Sequence, residues 1–185
     1  MITFSRFLPA CWALVLGATP LLAQAGSEDP YSRTKSADSQ FIQDEVAAGE
    51  ALSLIAQEAA SYGERAAVRA FARILAYYSE KSNADLFRLA TSKEVELASI
   101  NRAERLVSIR EEKGESFDRE FVALMIEMHE QSVENFERAA SESTDIEIKS
   151  WATGMLPGLK AQLKRAKELR SAETASSGKL TTITL

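Results

Sequence analysis

His129 is the only histidine in a chain of 185 residues, and Cys11 is the only cysteine. These two counts bound the chemistry. A di-iron or di-manganese bundle centre takes a Glu from each of two helices and a Glu-x-x-His pair from each of the other two. One histidine cannot complete two such pairs, and Ile126 rather than a glutamate stands three residues before it. Most catalytic zinc sites fail on the same count. There is no G-x-S-x-G nucleophile elbow, no Ser-Asp arrangement local to His129, and no Gly-rich phosphate loop. Carboxylates are plentiful, but most, such as Glu127, Glu130 and Glu134, fall on polar helix faces, and few loops exist to build a glycosidase cleft. The expectation is a protein that is not an enzyme and carries no cofactor.

What remains is position. At ~100° per residue, Val122, Met125, Val133 and Phe136 lie within about 40° of His129, which puts it on a buried stripe. Glu45 stands in the same relation to Phe41 and Leu52, with Ala48 about 60° away, and Ser79 and Ser82 share the apolar face of their own segment. An unpaired buried polar group costs on the order of 1–3 kcal/mol. A core polar cluster is therefore expected around His129, drawn from Glu45, Ser79, Ser82, Asn83 and Gln162. Two uses stay open: a cation or small-ligand site, or a hydrogen-bonded core histidine that fixes helix register.

The elements that must position these residues are helices. Apolar residues recur at 3-4 spacing over about 38–62 (Phe41, Ala48, Leu52, Ile55, Ala56, Ala59) and 65–91 (Val68, Phe71, Leu75, Tyr78, Ser82, Leu86, Leu89). The pattern returns over 117–140 (Phe121, Val122, Met125, Met128, Val133, Phe136) and 145–169 (Ile148, Trp151, Ala152, Met155, Leu159, Leu163, Ala166). A shorter helix is expected over 100–113. Thr144 and Glu147 form a capping-box pattern, and Pro157 should kink the last helix. Stripes of this kind bury only against each other, so the fold class is all-α: an antiparallel four-helix bundle with one short accessory helix. The domain spans 37–170, between a flexible leader at 26–36 and a loose tail at 171–185.

Residues 1–25 read as a secretory signal: Arg6, an uncharged run over 7–22, and Ala23-Gln24-Ala25 as the cleavage site. The run is short and interrupted by Pro9 and Pro20, so no transmembrane segment is expected in the mature protein. Leu8-Pro9-Ala10-Cys11 has the look of a lipoprotein box, but most of the apolar run follows the cysteine. Cleavage removes Arg6 and no acid, so the net charge of −5 becomes −6, and Cys11 leaves with the signal. The localisation expected is periplasmic or secreted. An acidic chain does not suit nucleic acid. Lys160, Lys164, Arg165, Lys167 and Arg170 make the last helix basic, either to balance its dipole or to meet an anionic envelope surface.

Three stretches, 68–90, 117–139 and 145–169, resemble an exported bacterial family known as domain of unknown function 4142. The matching marks are Phe117-Asp118, His129, Lys149 and Leu156-Pro157 followed by Leu159. The resemblance implies a ferritin-like four-helix bundle and brings no firm activity with it. The family pattern usually has Asp-His where this chain has Tyr78-Ser79, and often a histidine where it has Gln162. The combined expectation is an exported, non-catalytic binding or stress-related accessory factor of the cell envelope, with an envelope protein or anionic surface as partner. The alternative is a cation or small-ligand binder acting through the cluster at His129, and a degraded di-metal oxidoreductase stands behind both.

Overall fold

The computed structural model describes residues 30–97 and 114–181. Four helices occupy them: α1 Pro30–Tyr62, α2 Ala66–Ser92, α3 Glu115–Glu142 and α4 Ile146–Thr181. No strand occurs among the described residues. The chain is an all-α bundle. The expected signal segment and the accessory helix over 100–113 lie outside the described residues.

Both outer helices run further than their apolar stripes. α1 starts at Pro30, so residues 30–36 of the expected leader are helical. Proline suits a first helical position, where its missing N–H has no intrahelical partner to lose. α4 continues to Thr181, through much of the expected loose tail. Glu173, just beyond the last stripe residue, is held by Arg65 at 3.2 Å, which ties this extension back to the bundle.

Side-chain contacts fix the helix directions. Glu45 of α1 meets Ser132 and Asn135 late in α3, whereas Glu64, just past α1, meets Asp118 early in α3. α1 and α3 are therefore antiparallel. Arg65 pairs with Glu173, and Lys93 with Asp145 at 2.6 Å, so α2 and α4 are antiparallel too. α1 and α2 are joined by residues 63–65, and α3 and α4 by 143–145. The order is up-down-down-up, with α2 ending at the opposite end of the bundle from where α3 begins. This is the one-crossover topology of ferritin-like bundles.

The start of α4 corrects the expected cap. Asp145, not Thr144, is the N-cap, because its Oδ1 accepts the N–H groups of Glu147 at 2.9 Å and Ile148 at 3.2 Å. Glu147 turns to Lys93 at 3.0 Å instead of reaching back to the cap. α4 runs uninterrupted through Pro157.

The interior divides into two apolar cores. One joins Ile55, Val68, Phe71, Leu75, Phe121, Met125 and Leu169 toward the Asp118 end. The other joins Phe41, Ile42, Val46, Leu86, Phe136 and Ala152 toward the opposite end, with Phe41 and Phe136 in an edge-on contact at 5.1 Å. Ile42 and Val46 belong to this core although the expected stripe omitted them, while Ala48 is only half-buried. Between the cores the packing opens. No residue of α4 between Ala152 and Ala166 is buried, and none of α2 between Ser79 and Leu86. Tyr78, expected on the buried stripe, is 52% exposed, and its neighbour Ser79 takes the interior position.

Candidate ligand cavity

The opening between the cores is a cavity of about 550 Å³, bordered by α2 and α4 and reaching α1 and α3 beneath. Its position follows from side-chain size. α4 presents Gly154, Gly158 and Ala161 to it, too small to reach across to α2. A Cβ built on Gly154 or Gly158 would meet nothing within 4 Å. The walls are apolar and aromatic, including Leu52, Phe71, Tyr78, Phe136 and Met155. Glu45, Ser79, Ser82, Asn83 and Gln162 line it as well, so five members of the expected cluster converge on one space. His129 is not among the lining residues.

His129 is 2% exposed, and both ring nitrogens are engaged. Its Nδ1–H donates to the Met125 carbonyl at 2.7 Å, and Nε2 lies 3.0 Å from the Gln162 side-chain amide. Burial lowers the imidazole below the ordinary histidine value, against the raising effect of these two hydrogen bonds. Oε1 is the Gln162 atom that faces Nε2. Gln162 has one side on the cavity and the other on His129.

Glu45 is the charge of the cavity. It is 5% exposed, and its carboxylate accepts from Ser132 Oγ at 3.0 Å and Asn135 Nδ2 at 2.8 Å. Both donors are neutral. Burial raises its pKa to about 7, against the lowering effect of the Asn135 and Ser132 hydrogen bonds. Asn83 is the second unusual group. Its Oδ1 is buried without a hydrogen-bond partner, against α1 at Gly49. A side chain at Gly49 would collide with that oxygen, so glycine is what lets Asn83 approach the α1 backbone. Ser79 Oγ donates to the Ala76 carbonyl at 3.0 Å, which leaves the hydroxyl oxygen free to accept.

Among the described residues, no group of three or more His, Cys, Asp or Glu is placed to hold a metal ion. Residues 23–169 match the sequence model of the family described as "Domain of unknown function (DUF4142)". The chain belongs to that family. A solved structure described as "CopM in the Cu(I)-bound form" shares the fold at a TM-score of 0.63 and 17% identity, over 73% of this chain and 96% of that one. No curated protein matches. In this member of the DUF4142 family, Ser79 and Gln162 both line the cavity.

Sequence reasoning missed one site altogether. Asp118 is fully buried at the end of the bundle away from Glu45's core. Its Oδ1 accepts the Glu64 N–H at 2.9 Å, and its Oδ2 accepts the Arg65 N–H at 2.8 Å and Arg65 Nε at 3.1 Å. Through Arg65 and Glu173 the clamp reaches α4. Of Lys160, Lys164, Arg165, Lys167 and Arg170 on α4, three are likewise partnered: Lys160 pairs with Glu137 and Lys167 with Glu130, each at 2.7 Å, and Arg165 with Glu168 at 3.1 Å.

Proposed function

We propose that this DUF4142 protein is an exported, non-catalytic binding factor of the cell envelope, and that its binding site is the cavity between α2 and α4. One observation carries the reading: five polar side chains from three helices converge on an otherwise apolar space that the protein's own residues leave unfilled. Concave, largely apolar spaces with a few convergent polar groups are the usual form of small-molecule sites. Residues 1–25 support export through their charge, apolar run and A-x-A ending.

The test is native mass spectrometry of untagged protein recovered from the periplasm. The expected result is a chain beginning at Gly26 that retains a non-covalent small molecule. A chain that keeps residues 1–25, or that stays in the cytoplasm, overturns the export reading. A ligand-free chain that binds nothing from an envelope extract overturns the binding reading.

A second reading is a soft-cation site. CopM has a Cu(I)-bound form, and here the Met155 thioether faces the cavity while Gln162 screens His129 Nε2 from it. Thioether and imidazole donors suit Cu(I). Competition with a Cu(I) chelator tests it: binding that tightens in Gln162→Ala and is lost in His129→Ala supports the site. Equal affinity in all three proteins refutes it.

A further inference from the structure

We propose that the cavity takes a primary ammonium group carried on an apolar, aromatic-sized body, with the ammonium seated at the Glu45 carboxylate, one helical turn from the site where Asn83 meets α1. This rests on the cavity being a ligand site and names the ligand's class. Three observations carry it.

The first is the sign of the polar groups. Glu45 is a buried carboxylate satisfied only by the neutral donors Ser132 and Asn135, and Asn83 Oδ1 is a buried acceptor with no donor at all. The Ser79 hydroxyl spends its proton on Ala76 and can only accept. Neither Glu45 nor Asn83 Oδ1 is met by a cation. Arg165 stands at the border of the cavity, exposed and engaged with Glu168. An ammonium supplies three N–H donors and a positive charge together.

The second is spacing. Gly49, against which Asn83 Oδ1 lies, is one helical turn from Glu45 on α1. Side chains four apart on a helix stand roughly 5–6 Å from each other. Asn83 Oδ1 therefore meets α1 within one helical turn of Glu45.

The third is the wall. Phe71 and Tyr78 of α2 and Phe136 of α3 line the cavity. Aromatic faces favour a cation beside them as well as an apolar body between them. A carboxylate or phosphate ligand would meet Glu45 with the same sign, and a purely apolar ligand would leave both acceptors unanswered.

The experiment is calorimetric titration of the mature protein at pH 8 with 2-phenylethylamine, 2-phenylethanol and 3-phenylpropionate, alongside the binding of the neutral dye Nile red. The amine should bind at least tenfold tighter than the alcohol, and the acid should not bind. Glu45→Gln should weaken the amine tenfold or more and leave the alcohol unchanged, because Gln keeps the size of the side chain and removes the charge. Asn83→Leu should weaken the amine three- to tenfold. Gly158→Leu, which extends into open space, should exclude all ligands without loss of helicity. Equal binding of amine and alcohol, or an amine affinity indifferent to Glu45→Gln, overturns the ammonium assignment. Nile red binding without any amine binding overturns it too, while the ligand-site reading stands. If Nile red and all three compounds fail together, both fall.

Discussion

Asp118 and Glu45 are carboxylates taken out of water at opposite ends of α3's contact with α1, and their surroundings differ in kind. Asp118 accepts three hydrogen bonds, two from backbone amides of the α1–α2 turn and one from a guanidinium. Charge-assisted bonds of this type are the strong ones, and they join the two helical hairpins at a fixed register. Glu45 has two neutral donors and an empty space on its remaining side. A buried charge that is fully partnered holds a structure together. One that is partly partnered beside a cavity stays available to something else. The difference separates the closed end of this bundle from its open middle.

The largest expected effect comes from breaking the closed end. Asp118→Ala strands two backbone N–H groups and removes one of the two carboxylate partners of Arg65. Loss of one member of a buried pair typically costs 3–5 kcal/mol, but the Arg65 side chain is 27% exposed and recovers some solvation. We expect about 3 kcal/mol lost in urea unfolding at neutral pH. A loss below about 1 kcal/mol would mean that the clamp is ornamental and that the two carboxylates do not differ as described.

Glu45→Gln should act in the opposite sense at high pH. Burial raises the Glu45 carboxyl from its ordinary 4.5 to about 7. A raised folded-state pKa means that its stabilising contribution is complete below about 4.5 and is lost as pH rises through about 7. Across that window the ionisation is worth at most about 3 kcal/mol. Asp44 precedes it on α1, Tyr78 and Arg165 line its cavity, and His129 lies one turn before Ser132 on α3. His129 contributes with the reverse sign: its lowered pKa makes its contribution present above the ordinary histidine value and lost on acidification. The informative quantity is therefore the stability difference between Glu45→Gln and the parent. It should grow in the variant's favour from pH 5 to pH 8, and a flat difference refutes the account.

Gly49→Ala tests how closely Asn83 is held. A Cβ at Gly49 would collide with Asn83 Oδ1, so the Asn83 side chain must turn out of its place against α1 or the two helices must part. Overpacking of this kind costs about 1–3 kcal/mol, less about 1 kcal/mol gained from helix propensity. A net loss of about 1 kcal/mol in thermal unfolding is expected, and Gly49→Ala/Asn83→Ala should recover it.

These features were unequally legible in the sequence. The helices and their antiparallel packing were readable because the 3-4 spacing of residues such as Val68, Phe71 and Leu75 admits few other structures. The polar members of the middle were readable too: Glu45 and Ser79 interrupt apolar stripes, and the structure places both in the interior. Their arrangement was not. Periodicity ranks residues by face, and Met155 and Leu159 look as buried as Ala152 and Ala166, although only the latter two are. His129 was expected at the hub, yet it stands behind Gln162, and Glu45 is the group that faces the cavity. Asp118 sat in the family-like Phe117-Asp118 pair, but its partners Glu64 and Arg65 lie more than fifty residues away. No local pattern encodes that meeting.

The smallest effect distinguishes the two sides of the open middle. Gly158 lines the same cavity as Gly49, but a Cβ there meets nothing within 4 Å. Gly158→Ala therefore gains helix propensity with no collision, and should stabilise the protein by about 0.5–1 kcal/mol. The same substitution at Gly49 should destabilise it. Opposite signs at two glycines on one cavity are hard to obtain from propensity, which has the same sign at both. If both variants were stabilised, Asn83 would not be pressed against α1, and the buried acceptor beside Gly49 would lose its geometric basis. If both were destabilised, the space beside α4 would be filled in solution by a shift of α2, and the bundle would be closed along its whole length.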